Sequence, residues 1–447
     1  MLWGPLDFTQ QFPRVYLHVI KWFASSLNYS YFSLRFPSYI VSCSSVFLCW
    51  SLMKRLYPQP AATRYLFVLI LLAHQVFMDY FVQIKHYEME IFLSLVAIWQ
   101  LTELLSISED GVKNKGTYLL LCISFLLAPF FSYTYPIGVM PLYIMAFMRL
   151  LAIFSGKRDK KNFIAAAVPL FICFCGIAAC YFIDISQVIA DQNMHQYWSI
   201  RMSKGNALLT ALVNTWRFFA NVGAGFLFEI VFAILGIASI LYAITNNLNA
   251  NAKNNYNRAQ AVRIYCIILV LGSLLLCFAG HLPLGEPKFG AYTVPAISIL
   301  IISFLDYLLS NLRLKKVAGG FLVVLMVALI GNIVCGVINM TSDVYTKRIS
   351  IHLATEKAIK LAHDKKIPIF ITPAIGFPDD IVVKIPFISM PTPAGVLKAF
   401  PAYQVSDTIA IYDINDYAQV QDYKKKLSPT ITTVLVGDGL SYKLVNW

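Results

Sequence analysis

Charge is what this sequence has least of. Only 13% of its 447 residues are Asp, Glu, Lys or Arg, about half the share of a soluble globular domain. A chain this poor in charge cannot cover a water-facing globule of its own size. Cysteine is equally uninformative as a framework. The nine cysteines at 43, 49, 122, 173, 175, 180, 266, 277 and 335 all fall inside long apolar runs, which implies no disulfide scaffold. The Cys173/Cys175 pair reads as two small core hydrophobes. There is no Gly-rich phosphate loop, no paired-His metal spacing and no internal repeat. No clustered basic surface interleaved with aromatics is present, so a nucleic-acid partner is not expected.

Apolar length is what the sequence has instead. Hydrophobic residues make up 58% of the chain, in runs of helical length without the alternation of strands. About 20 apolar residues span a hydrocarbon layer of ~30 Å, and in lipid only helices or closed barrels satisfy their own backbone. Ten spans are expected, over 37–56, 62–80, 87–107, 116–132, 135–155, 163–186, 223–245, 261–281, 289–312 and 317–340. The 116–132 run is short and is followed by Pro136, so a tilted or broken helix is expected there.

Lysine and arginine orient the bundle. Alternate connections carry Lys54, Arg55 and Arg64; Lys113 and Lys115; Arg149, Lys157, Arg158, Lys160 and Lys161; Lys253, Arg258 and Arg263; and Arg313, Lys315 and Lys316. The opposite connections carry only Lys85, Arg201, Lys204, Arg217 and Lys288. The basic side is therefore expected in the cytoplasm, with the N-terminus, the 187–222 and 282–288 loops and the C-terminus outside. The net charge of +13 then follows from membrane topology.

The expected fold is an all-α polytopic membrane bundle of about ten transmembrane helices over 37–340. A small C-terminal α/β extramembrane domain over 341–447 follows it. Segments 367–372, 381–386, 408–413 and 430–437 are strand-like, and 349–364 and 415–426 helix-like. Residues 1–36 form an outside loop in which 13–27, PRVYLHVIKWFASSL, suits an amphipathic helix lying in the interface. An outside start with no preceding apolar run leads one to expect a further span upstream of Met1.

Three outside segments carry the reactive-looking side chains. DYFVQIKHYEMEIF (79–92) holds Lys85, His86, Tyr87, Glu88 and Glu90 at the mouth of an apolar helix, where ionisable groups mark functional sites by default. The 191–217 loop holds Tyr197, Trp198, Arg201 and Lys204; GHLPLGEPKFGAYTVP (280–295) holds His281, Glu286 and Lys288. Each also has a structural reading: a solvated helix end, an aromatic belt, and a snorkelling anchor. Together Lys85, Arg201 or Lys204, and Lys288 would suit an anionic lipid headgroup at the interface.

In order along the chain, PLDFTQQFPRVYLHVIKWFASSLNYSYFSLRFPS (5–38), QIKHYEME (83–90), SYTYPIGV (132–139), Tyr197-Trp198 and LPLGEPKFGAYTVP (282–295) resemble a known pattern. It is that of the GT-C polyprenyl-phosphate-dependent glycosyltransferases of the protein mannosyltransferase and aminoarabinose transferase type. The resemblance covers about residues 1–310. It implies a multi-pass protein of the bacterial inner membrane with an extracytoplasmic C-terminus. It also implies inverting transfer from a polyprenyl-phosphate sugar donor to a lipid, protein or glycan acceptor, amid membrane lipids. Donor phosphate would be held by Lys85, Tyr87, Glu90, Tyr197, Arg201 and Lys288. The resemblance implies no definite cofactor; the superfamily admits a divalent metal, for which no ligand cluster declares itself. The chain departs from the pattern in two places. The usual Asp-Glu pair ahead of the PLD segment would lie upstream of Met1, leaving Asp7 as the catalytic carboxylate of that region. In the 83–90 turn, Gln83 stands for an acid and Glu90 for an aspartate. The alternative is a non-catalytic or degenerate lipid-binding or transport protein.

Overall fold

The structure is a computed structural model. It describes residues 13–27, 31–57, 61–81, 86–155, 160–186, 207–220, 226–251, 258–282, 284, 287–310 and 315–339, and the strand residues 369–371, 387–388, 408–413, 431–436 and 442–445. Contacts divide the chain into a large unit, Met1–Trp22 with Arg35–Gly336, and a second unit, Phe23–Leu34 with Val337–Trp447.

The large unit is helical. Its elements are α1 (Arg14–Ser26), α2 (Tyr31–Leu56), α3 (Ala61–Ala73), α4 (Gln75–Tyr80), α5 (Tyr87–Asp110), α6 (Lys115–Leu127), α7 (Tyr135–Ser155) and α8 (Lys160–Cys180), whose last turn widens into a π-helix at Tyr181–Ile185. After them come α9 (Ala207–Ala220), α10 (Phe226–Asn251), α11 (Arg258–Phe278), α12 (Val294–Ser310) and α13 (Lys315–Asn339). Short 3-10 turns at Ala128–Phe130 and Pro287–Thr293 lead into α7 and α12. Among the described residues, six helical stretches are long and apolar enough to cross a membrane: Arg35–Leu56, Tyr87–Asp110, Lys161–Ile185, Phe228–Thr245, Arg258–Phe278 and Lys288–Leu308. Shorter apolar helices occupy Arg64–Ala73, Lys115–Phe130, Tyr135–Met148 and Val323–Ile338. An all-α membrane bundle is the result.

Two helices form its centre. In α5 and in Lys288–Leu308, 78% of the apolar window is buried, against 33–44% in the other four long stretches. The outer helices turn large apolar side chains outward, such as Phe47, Phe171, Phe182 and Leu275. A water-soluble protein would not leave so many exposed; in a bilayer, lipid tails cover them. Close approach is set by small residues. At Gly176 in α8, a Cβ would sit 2.7 Å from the Leu126 carbonyl oxygen of α6.

Inside an apolar layer each freed backbone group needs a partner, and the breaks at Pro169 and His74 have them. Pro169 in α8 cannot bond the carbonyl four residues back; that carbonyl, Ala165 O, accepts from the Tyr118 hydroxyl at 3.1 Å. The 62–80 run, expected as one span, is broken at His74, which adopts an extended backbone. Its Nδ1 accepts from Val76 N at 3.3 Å, and Asn332 Nδ2 of α13 donates to the Ala73 carbonyl at 2.7 Å. The short 116–132 run ends its α-helix at Leu127 and continues as the 3-10 turn. α5 stops at Gly111, whose φ of 75° favours glycine. α6 then starts on Asn114, whose Oδ1 accepts from the amides of Gly116 and Thr117, as an N-cap should.

In the second unit, the C-terminal strands β1 (Ile369–Ile371), β2 (Phe387–Ile388), β3 (Thr408–Asp413), β4 (Ile431–Val436) and β5 (Tyr442–Val445) form one sheet in the order β2-β1-β3-β4-β5. All pairs are parallel except β4 with β5. β3 occupies the expected 408–413, whereas β5 was not foreseen. The strand expected at 381–386 and the helices expected at 349–364 and 415–426 lie outside the described residues.

Asn332 is fully buried. Asn332→Leu strands the Ala73 carbonyl and is expected to destabilise the bundle by about 1–3 kcal/mol. Val334→Leu on the exposed face of the same helix should leave it unchanged. Thermal unfolding in detergent micelles measures both.

Candidate functional site

The two ends of the bundle treat charge in opposite ways. At the basic end the ion pairs are open: Arg55 with Glu103, Lys113 with Asp110, and Arg258 with Glu109 and Asp110. Such exposed pairs are weak. At the other end, three carboxylates are buried: Glu88, Glu90 and Asp184.

Asp184 is placed by the π-turn that ends α8. It accepts from the Arg14 side-chain Nε at 3.0 Å and from the Arg14 backbone amide at 3.2 Å. The side chains of this pair are 4% and 3% exposed. The Tyr133 hydroxyl donates to the same carboxylate, and burial, reinforced by Asp184, pushes that phenol's pKa well up. Asp184 thus fixes the start of α1 against the end of α8. The amphipathic pattern expected over 13–27 explains the rest of the seat: Tyr16 and Ile20, one turn apart, are buried, while Trp22 is exposed. Tyr16 shares a 2.9 Å hydrogen bond with Ser38 of α2. Burial raises its pKa, the nearby Glu88 adds to the rise, and the Ser38 bond opposes it.

Glu88 and Glu90 occupy the first turn of α5, where the partial positive charge of a helix N-terminus favours acids. Two residues apart on a helix means about 200° of rotation, so they meet different surroundings. Glu90 has partners: His86 Nε2 lies 3.4 Å from its Oε1, and the Thr134 hydroxyl bonds it. Thr134 is itself set by Ser132, hydroxyl to hydroxyl at 2.9 Å. Glu90 also lies within electrostatic reach of the Tyr292 hydroxyl, which bonds Ser273 at 2.8 Å. Glu88 differs. It is 0% exposed, and no other described residue hydrogen-bonds either carboxylate oxygen; the one group within reach is its own backbone amide. Leaving a buried acid unpaired costs several kcal/mol.

Around these acids stand donors and rings. Tyr87 stacks between Tyr80 and His86, with both ring centroids at 4.6 Å. The Pro287–Thr293 turn packs against α5 and α4 and carries Lys288, half-buried, its ammonium 4.9 Å from the Phe289 ring centroid. Of the residues singled out in the sequence, Tyr87, Glu90 and Lys288 are described, on elements that meet at this end. Asp7, Lys85, Tyr197 and Arg201 lie outside the described residues.

No protein family, curated protein or solved structure matches this chain.

Sequence reasoning had passed over Arg14, Tyr16 and Asp184. The π-turn and the contacts from Arg14 of α1 enclose Asp184. Glu88 was legible as an acid in an apolar first turn, but not as the one left without a partner. Among the described residues no three His, Cys, Asp or Glu side chains are grouped to hold a metal, and no step through a metal is derived. Chemically, the arrangement offers one carboxylate with free lone pairs, an imidazole–carboxylate pair, phenols and an ammonium.

Asp184→Ala would remove the buried carboxylate that the Arg14 guanidinium bonds and is expected to cost about 3–5 kcal/mol. Replacing Arg14 and Asp184 together by Leu should cost less. Lys113→Ala, in an open pair, should not shift the transition. Thermal unfolding of the four proteins in one detergent checks the order.

Proposed function

We propose that the chain is an inverting membrane glycosyltransferase that moves a sugar from a polyprenyl-phosphate donor to an acceptor at the extracytoplasmic face. In this reading all ten apolar runs cross a bacterial inner membrane, the acid-bearing end of the bundle faces outward, and the C-terminal sheet belongs to an extracytoplasmic α/β domain. Parallel strands such as β3 and β4 need a crossover connection, usually helical, which the polar 415–426 segment would supply.

One observation carries the proposal. Four of the five family-like segments, far apart in sequence, meet at one end of the bundle. Segment 5–38 brings Tyr16 to Glu88. Segment 83–90 contains both acids. Segment 132–139 brings Thr134 to Glu90, and segment 282–295 packs against the same helix. The separation of poles by charge supports the orientation, because Lys and Arg favour the cytoplasmic side.

The mechanism follows from these groups. Lys288, with Lys85 and Arg201, would neutralise the phosphate as the glycosidic bond breaks, the large electrostatic contribution in such transfers. Tyr87 and Tyr197 would hydrogen-bond it. A carboxylate would take the acceptor's proton, and attack from the opposite face inverts the anomeric centre.

The test uses the full-length protein in lipid nanodiscs with radiolabelled polyprenyl-phosphate hexoses and pentoses and an envelope extract as acceptor source. Transfer is expected, and Lys85→Ala and Lys288→Ala should each lower turnover about 100-fold, as loss of one stabilising donor does. Turnover unchanged in both variants would remove the phosphate assignment. Donor binding without any transfer would favour the non-catalytic lipid-binding alternative.

A further inference from the structure

The acids buried at the outer end are not equivalent, and their partners decide which of them can do chemistry. Both oxygens of Asp184 are engaged, one by the Arg14 Nε and one by the Arg14 amide. Tyr133 donates to it as well. Glu90 is held by His86 and Thr134. Glu90 keeps only Oε2 without a partner, whereas Glu88, 0% exposed, has no bond to either oxygen from any other described residue. A helix N-terminus explains why an acid is tolerated in this turn. It does not explain why this acid lacks the partners that its neighbours have. An unpaired carboxylate enclosed in an apolar bundle is a functional candidate. Tyr16 of α1 lies within electrostatic reach of Glu88, and α1 is fixed at its start by Arg14 on Asp184.

We propose that Glu88, in the first turn of α5, is the proton acceptor of the transfer. The inference rests on the transferase reading above and deepens it. It places the base on α5 and not in the N-terminal segment, where Asp7 was expected to serve. In the step, the acceptor's O–H or N–H bond breaks and its proton passes to a Glu88 oxygen. The freed electron pair forms the bond to the anomeric carbon. The bond from that carbon to the phosphate oxygen breaks, and polyprenyl phosphate leaves with those electrons.

The experiment compares wild type, Glu88→Gln and Glu88→Asp in the nanodisc assay with the radiolabelled polyprenyl-phosphate donors. Glu88→Gln keeps the shape and removes the base. It is expected to lower kcat by at least about 100-fold, within the usual range for a lost general base, with donor KM within twofold of wild type. Glu88→Asp keeps a carboxyl one methylene short and should retain measurable transfer at the same donor KM. A Glu88→Gln protein that turns over at the wild-type rate overturns the proposal and leaves the transferase reading standing. A donor KM that rises while kcat holds also overturns it, since Glu88 would then bind donor. If wild type transfers no sugar from any of these donors, the reading and the proposal fall together. Should Glu88→Gln not fold, Glu88→Asp carries the test: a reduced kcat at unchanged donor KM supports the assignment, and a wild-type kcat overturns it.

Discussion

Everything in this bundle depends on one constraint: a polar group enclosed in an apolar layer must find its partner within the chain. The constraint explains the anatomy. Hydroxyls along the helices return to carbonyls one turn back, as Ser45 does to Val41 and Ser298 to Val294, leaving the helix faces apolar. The carbonyl that Pro169 cannot use is taken by Tyr118, and the break at His74 is closed by Asn332. These two interruptions become fixed crossing points, because the cost of each is met by a side chain on another helix.

The same constraint separates the two ends. Charges at the basic end reach water and pair loosely. At the other end Arg14 and Asp184 are sealed in together, and their bond joins an amphipathic helix that cannot cross a membrane to one that can. Glu90 meets it in part, through His86 and Thr134, with its Oε2 left without a partner among the described residues. Glu88 departs further: no other described residue bonds either of its oxygens. Stability and function pull apart here: the turn that would be most stable with an apolar residue carries an acid with nothing to hold.

Much of this was legible in the sequence, for physical reasons. Span position follows from apolar length alone, so the run at 87–107 appears as α5 and that at 261–281 as α11 with small shifts at the ends. The amphipathic period of 13–27 predicts α1 because one face is apolar whatever it packs on. Strand β3 was legible from its β-branched residues, whereas the Tyr442–Val445 strand, four residues at the edge of the sheet, is too short to carry such a signal. What periodicity cannot carry is the partner of a given polar atom. The break at His74 depends on Asn332, 258 residues later, and the burial of Asp184 depends on Arg14, 170 residues earlier. For the site, Glu90 and Lys288 stood out by type and position. The difference between Glu88 and Glu90 arises from neighbours on three other elements, which no single segment reveals.

The central claim is that the bundle crosses a membrane with its open ion pairs on one side and its buried acids on the other. Single cysteines at Lys113 and at His281, exposed residues at opposite ends, test it with a membrane-impermeant maleimide on sealed right-side-out vesicles, each compared with the unsubstituted chain. The account predicts that His281→Cys is labelled in intact vesicles and that Lys113→Cys is labelled only after they are opened. Labelling of both from the same side would contradict it.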